Sequence, residues 1–437
     1  MNPNALAIHL YSIYDDHRLD HLRPSTCRHS RLYGEVVGLV ARSGGRVRIR
    51  EAGRSVEGRP IPLVSFGRGE RTVLLWSQMH GDEPTATLAL ADLLSLLAED
   101  RGREGWLTEI LKGCNVHVIP MLNPDGAERH QRHNAVGIDV NRDARSLVSP
   151  EARALFEAQR DLRPEFAFNL HDQGLGSVGT STKATAIALL APASEPGRRV
   201  TPVRRRAMRL ASLVAGILDP IVGGRIAAWD DTYEPRAFGD LFQGSGSSTL
   251  LIESGHWAGD PEKCFIRKLN FVALLVSLHA IATDAVDEIP VERYLGIPVN
   301  GPRVFDLLLR GVEIRETGSG WSGRVDVGLS FHPPQLRRGL AEATSAVVRE
   351  IGDLSRHGGL EERDGSGLSV AASSIPAGAV VPLELFEESG RRPETGARRT
   401  SWAPPVRRRD GKKPRSAVYR WRPPAGRIAG RRMPAAP

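Results

Sequence analysis

The chain has 437 residues, 41% hydrophobic and 25% charged, so it can bury a large core and has room for more than one domain. Its formal charge of +8 is unevenly spread: residues 391–437 carry 15 Lys/Arg against 2 Asp/Glu, which leaves 44 against 49 in residues 1–390. The high isoelectric point therefore belongs to one end of the chain and gives no ground for a nucleic-acid-binding core.

Residues 1–18 (MNPNALAIHLYSIYDDHR) show no basic stretch followed by an apolar one, so no secretory signal is expected, and 1–30 reads as an N-terminal extension. Over 31–286, strand-like and helix-like runs alternate, the pattern of an α/β layered sheet. Strands are expected at Val47–Arg50, Pro62–Phe66, Val73–Trp76, Val116–Pro120, Phe166–Leu170, Ile187–Ala191 and Thr249–Ile252. Helices are expected at Leu32–Ala41, Pro84–Leu97, Pro150–Gln159, Val203–Ile217 and Pro261–Ile281, the last with Asp260 as its cap. The apolar run Phe271–Ala280 is too short to cross a bilayer. Residues 287–390 change to short β-like runs, Val304–Leu309, Gly323–Val327 and Val380–Leu385, which predicts a small β-rich accessory domain. Residues 391–437 add 8 Pro to their basic residues without apolar periodicity, which predicts a disordered Arg/Pro-rich tail suited to non-specific contact with acidic partners. Three widely spaced cysteines, Cys27, Cys114 and Cys264, argue against a disulfide framework, and a cytoplasmic location is expected.

The chemistry lies in a few short segments. His80-Gly81-Asp82-Glu83 stands between a strand-like and a helix-like run, with Pro84 at the first helical position. A His and a Glu three residues apart at a strand end can face one cation. Downstream come Asn123-Pro124-Asp125-Gly126, read as a turn, and the run from Arg132 to Arg142 (RHNAVGIDVNR). His171 follows the strand-like FAFNL, and Glu253 follows TLLI. His80, His171 and Glu253 thus each follow a strand-like run, where open α/β sheets bind their ligands.

Zinc catalysis needs three N or O ligands and one open position, and His80, Glu83 and His171 supply two imidazoles and a carboxylate. A separate carboxylate must take the proton of the attacking water, and Glu253 is the candidate. Arg132 suits the developing oxyanion, and Arg142 with Asn141 suits a substrate's terminal carboxylate. Asp139 suits the non-ligating nitrogen of a zinc histidine. His17 with His21, and His130 with His133, have metal-like spacing but no acidic partner at matching spacing and no strand-end setting, and read as surface or packing residues.

On these motifs, from the stretch Gly53–Ile61 (GRSVEGRPI) to Glu253-Ser254-Gly255, the chain resembles the zinc carboxypeptidase (metallocarboxypeptidase) family. The resemblance implies a three-layer α/β/α fold with a mixed, mainly parallel sheet and one zinc per chain on His80, Glu83 and His171. His₂Glu is the known zinc set of carboxypeptidase A, so the ligand set comes with the resemblance and is not independent of it. It also implies Arg132 as carbonyl-polarising group, Asn141 and Arg142 as carboxylate binders, and Glu253 as general base and acid. Tyr233 is the best match for the family's mobile-loop tyrosine. The family's usual Asn-Arg-Asn is Asn141-Arg142-Asp143 here, which places a negative charge beside the carboxylate binder, and Asp172-Gln173 follow the third ligand instead of the usual Ser or Tyr.

The function expected is hydrolysis of the C-terminal peptide bond of peptides by a zinc-activated water. Alternatives on the same fold are a deacylase of N-acyl amino acids and a murein-peptide amidase. A non-catalytic binding module is the rival from another class, and it would be marked by loss of a ligand or of the base.

Overall fold

In chain order, helices α1 (Pro3–His17) and α2 (His29–Arg42) precede strands β1 (Val47–Arg54), β2 (Pro60–Gly67) and β3 (Arg71–Ser77). Helices α3 (Thr85–Glu99) and α4 (Gly105–Gly113) lead to β4 (Cys114–Ile119), and α5 (Pro124–Arg129) and α6 (Pro150–Leu162) lead to β5 (Phe166–Asp172). Then come β6 (Ser177–Val178), β7 (Ile187–Leu190), α7 (Pro202–Val222), β8 (Ile226–Ala228), α8 (Phe238–Gly244), β9 (Ser248–Ser254) and α9 (Cys264–Ala282). This computed structural model describes residues 1–99, 104–332 and 344–386; the expected tail at 391–437 lies outside the described residues. By their contacts the described residues form one unit.

The main sheet has eight strands in the order β1-β2-β4-β3-β5-β9-β7-β8. The pairs β4/β3, β3/β5, β5/β9 and β7/β8 are parallel and β1/β2, β2/β4 and β9/β7 antiparallel, so the sheet is mixed with parallel strands at its centre. Side chains alternate across these strands. Val73 and Leu75 of β3 join a core with Leu10 of α1, Val36 of α2, Leu90 of α3, Ile110 of α4, Val214 of α7 and Leu274 of α9. Leu74 and Trp76 join a second core with Leu155 of α6 and Phe242 of α8. Helices therefore cover both faces, the expected three-layer α/β/α arrangement.

The expected strands and helices are all present, with shifted ends. Asn123-Pro124-Asp125-Gly126 is not a plain turn: Asn123 accepts the Gly126 N–H at 2.9 Å and opens α5. α9 begins at Cys264, later than expected, because Asp260 accepts the N–H groups of Cys264 and Phe265, each at 2.8 Å, from outside the helix. At 19 residues α9 is also long and apolar enough to cross a membrane, contrary to the length argument from Phe271–Ala280. Its residues from Leu269 to Ile281 are all buried within the core, the other setting in which a helix apolar on every side occurs.

Helices α1, α4 and α8 were not expected. α1 places Leu6, Leu10 and Tyr14 of the N-terminal 30 residues in the main core. It is fixed by a buried polar group on α3: Asp92 accepts Tyr14 Oη at 3.0 Å, Leu19 N at 2.9 Å and Arg267 Nε at 2.6 Å.

Beyond α9 lie α10 (Glu292–Leu295), β10 (Asn300–Gly301), β11 (Val304–Arg315), β12 (Ser322–His332), β13 (Ser345–Gly352), β14 (Gly358–Asp364), β15 (Ser369–Ala371) and β16 (Val380–Pro382). β10 pairs with β6, while β14-β11-β12-β13-β16 form a second sheet, with β15 on β11, around Leu309, Val327, Leu329 and Val348.

Candidate active site

Strands β3, β5 and β9 are parallel and end at one edge of the sheet, which gathers the residues that follow them. After β3 the chain turns at Gln78, a non-glycine residue with φ of 51°. Gly81 then packs against α5: a Cβ there would stand 2.0 Å from the carbonyl carbon of Gly126, so only glycine fits. Asn123 Nδ2 donates to Met79 O at 3.2 Å and to Arg132 O at 3.3 Å, fixing the His80 loop to the Arg132 segment. Asp125 in turn accepts Ser55 Oγ at 2.7 Å and Glu57 N at 3.0 Å, which anchors the stretch Gly53–Ile61. Gly53–Ile61 and Asn123–Gly126 thus form the frame that holds the His80 loop.

His80 Nδ1 lies 2.8 Å from Glu83 Oε1, and His171 Nδ1 lies 2.8 Å from Glu83 Oε2. The three residues are buried and offer donor atoms within 4.8 Å of one another. Two imidazoles and a carboxylate converging in this way fit a zinc ion. Glu253 points from the end of β9, in register with His171 on β5, and its Oε2 is buried without a hydrogen-bond partner in the protein. A buried carboxylate oxygen left unpaired is costly, and a site that takes a cation and a substrate gives it work to do.

Asp139 does two things. Its Oδ1 lies 3.0 Å from His80 Nε2 and accepts the Asn141 N–H at 2.9 Å, while its Oδ2 accepts Arg132 Nη2 at 3.1 Å. Arg132 also donates Nη1 to Glu83 Oε1 at 3.2 Å, and 40% of its side chain remains exposed beside the metal group. Asn141 accepts the Phe238 N–H at 3.1 Å and turns its Nδ2 toward His171. Arg142 is held by its donation to Asn141 O at 2.9 Å, with Glu234 Oε2 3.7 Å from its Nε. Tyr233 is half-buried in the loop between β8 and α8, next to Glu234.

The expected charge conflict at Asp143 does not arise. Its carboxylate accepts Val148 N at 3.0 Å, Ser149 N at 2.7 Å and Ser149 Oγ at 2.8 Å, so it is turned to the start of α6. Asp172 accepts Thr85 Oγ1 at 2.5 Å and Lys263 Nζ at 3.2 Å, and its N–H donates to Glu83 Oε2 at 3.2 Å. Gln173 accepts Asn300 Nδ2 at 2.9 Å, linking the loop after His171 to β10. Lys263 and Thr85 are site neighbours that the sequence reading missed. His17 and His21 are paired separately, with Glu99 and Glu35.

The electrostatics separate the two histidines. Burial pushes His80 down, but the carboxylates of Glu83 and Asp139 outweigh it and raise it to about 9. His171 has only Glu83, and burial wins, keeping it below the usual histidine value. Burial raises Glu83, yet the two imidazoles outweigh burial and hold it well below the usual carboxylate range. Glu253 is pushed well up, first by burial and then by the charge of Glu83.

Residues 34–183 match the family model for zinc carboxypeptidase. Carboxypeptidase SOL1 of Arabidopsis thaliana is 27% identical over 256 residues, covering 52% of this chain and 52% of that protein. Carboxypeptidase 2 of Trichophyton rubrum is 30% identical over 144 residues, 30% of this chain and 26% of that protein. The crystal structure of a metallo-carboxypeptidase from Burkholderia cenocepacia is 18% identical, with a TM-score of 0.45, over 58% of this chain and 68% of that one. The chain spans about half the length, or less, of these two curated relatives. The family match holds His80, Glu83 and His171 and ends before Glu253, which stands beside them by geometry alone. With the family match over residues 34–183, the ordered motifs and the converging donors together, the chain is similar to the zinc carboxypeptidases.

Proposed function

We propose that the chain is a zinc metallocarboxypeptidase that releases the C-terminal residue of a peptide, with Glu253 as general base and acid. The observation that carries this reading is the buried, unpaired Glu253 Oε2 placed beside the His80–Glu83–His171 group. Zinc held by those three residues supplies Lewis-acid polarisation of the scissile carbonyl and acidifies water in the site.

The remaining roles fall to the chain itself. Glu253 takes a proton from the attacking water and returns it to the leaving amine, a task suited to a carboxyl raised by burial. Arg132, fixed by Asp139 and Glu83 but open on one side, provides positive charge where the carbonyl oxygen gains negative charge. Arg142 provides a planar fork for the substrate's terminal carboxylate, pre-aligned by its bond to Asn141 O. Tyr233, half-buried in the loop that also carries Glu234, is assigned by this reading to close over a bound substrate.

The test is a peptide library incubated with the purified, zinc-supplemented chain and followed by mass spectrometry. Release of single C-terminal residues, absent after chelation, is expected; internal cleavage only, or no cleavage, contradicts the reading.

A further inference from the structure

The edge of the sheet opposite His80 carries a second feature. An open depression of about 480 Å³ lies there, bounded by the start of β1, the end of β2 and the last turn of α4. A water molecule takes about 30 Å³, so the space suits a ligand of many atoms. Four cationic side chains line it, Arg46, Arg48, Arg68 and Lys112, with Leu111 and three glycines between them. No carboxylate lines it among the described residues, although residues 1–390 carry more acidic than basic side chains overall.

Two of the guanidinium groups are held at the wall. Arg46 donates Nε to Leu97 O at 3.2 Å and Nη2 to Ala98 O at 3.0 Å, at the end of α3. Arg48 Nη2 reaches Gly67 O at 3.5 Å, while Arg68 and Lys112 are exposed. His117 lies two strands from Arg48 through the pairings Arg48↔Ser65 and Ser65↔His117, and it is pushed down to about 4 by burial and then by the charges of Arg50 and Arg48.

Four like charges gathered around one hollow repel one another, and a multivalent anion would relieve that repulsion. Forked guanidinium groups with an ammonium match the oxygens of phosphate groups. We propose that this depression binds a polyphosphate-type oxyanion at a site separate from the metal group, about 20 Å away along a seven-residue strand.

The test uses the full chain and inorganic tripolyphosphate, by isothermal titration at physiological salt, beside the triple variant R48Q/R68Q/K112Q. The substituted side chains are exposed, and an unchanged unfolding midpoint without anion checks the variant's fold. Tripolyphosphate binding that weakens roughly tenfold or more in the variant is expected. Co-sedimentation with phosphatidylglycerol vesicles in place of tripolyphosphate binding, lost in the variant, also supports the site and assigns the phosphate to a lipid headgroup. Equal binding by parent and variant, as the basic residues of 391–437 would give, overturns the proposal, as does no binding of either probe.

Discussion

His171 and Glu253 are register partners on the neighbouring parallel strands β5 and β9, so the third metal donor and the unpaired carboxylate emerge side by side from one sheet edge. A substrate carbonyl brought to the metal group would therefore meet Glu253 without any large movement of the backbone.

Glu253→Gln keeps the size of the side chain and removes its capacity to take a proton. Turnover should fall roughly 100- to 10,000-fold with zinc content unchanged. Turnover within a few-fold of the parent would show that another group handles the proton.

Arg142 stands apart from the metal donors, so its loss should act on substrate binding. For Arg142→Ala, kcat/KM on peptides with a free carboxylate should drop by about 1.5–3 kcal/mol in transition-state terms, the worth of a charged hydrogen bond. Carboxamide-terminated peptides should be affected much less. Equal losses on both would remove the carboxylate-binding role.

The buried pair of Asp92 and Arg267 joins α3, α9 and the segment after α1. Arg267→Met leaves the buried Asp92 charge without its cation, with Tyr14 Oη and Leu19 N as remaining donors, and should lower stability by about 3–5 kcal/mol in chemical unfolding. A loss below about 1 kcal/mol would mean that Asp92 finds another partner or takes up a proton.

His117 gives the fold a pH dependence of definite sign. Its folded value near 4 lies below the ordinary 6.5, so the unfolded chain takes up the proton first as pH falls. The contribution is complete above pH 6.5 and is lost as pH drops toward 4, by up to about 3 kcal/mol. The difference in unfolding free energy between pH 7 and pH 4.5 should shrink in His117→Asn; an unchanged difference would exclude His117 as its source.

The convergence of His80, His171 and Glu253 was legible because each follows a run of β-forming residues, and parallel strands bring such ends to one edge whatever their separation in sequence. The family resemblance supplied the roles. What stayed hidden depends on long-range partners. α1 packs because Arg267 reaches Asp92 from 175 positions away. Lys263 meets Asp172 across 91 positions with no linear pattern to mark it. Asp143 showed its charge in the sequence but not its direction, which the serine at the start of α6 sets. Tyr233 lies in a loop, where no periodicity fixes orientation.

Metal analysis of the purified full chain, beside Glu83→Ala and His171→Ala, bears most directly on the shared metal site. About one zinc per chain is expected in the parent and little in either variant, with the parent's circular dichroism preserved. Zinc retained equally by both variants, or none taken up by the parent from zinc-supplemented buffer, would contradict a site built from His80, Glu83 and His171.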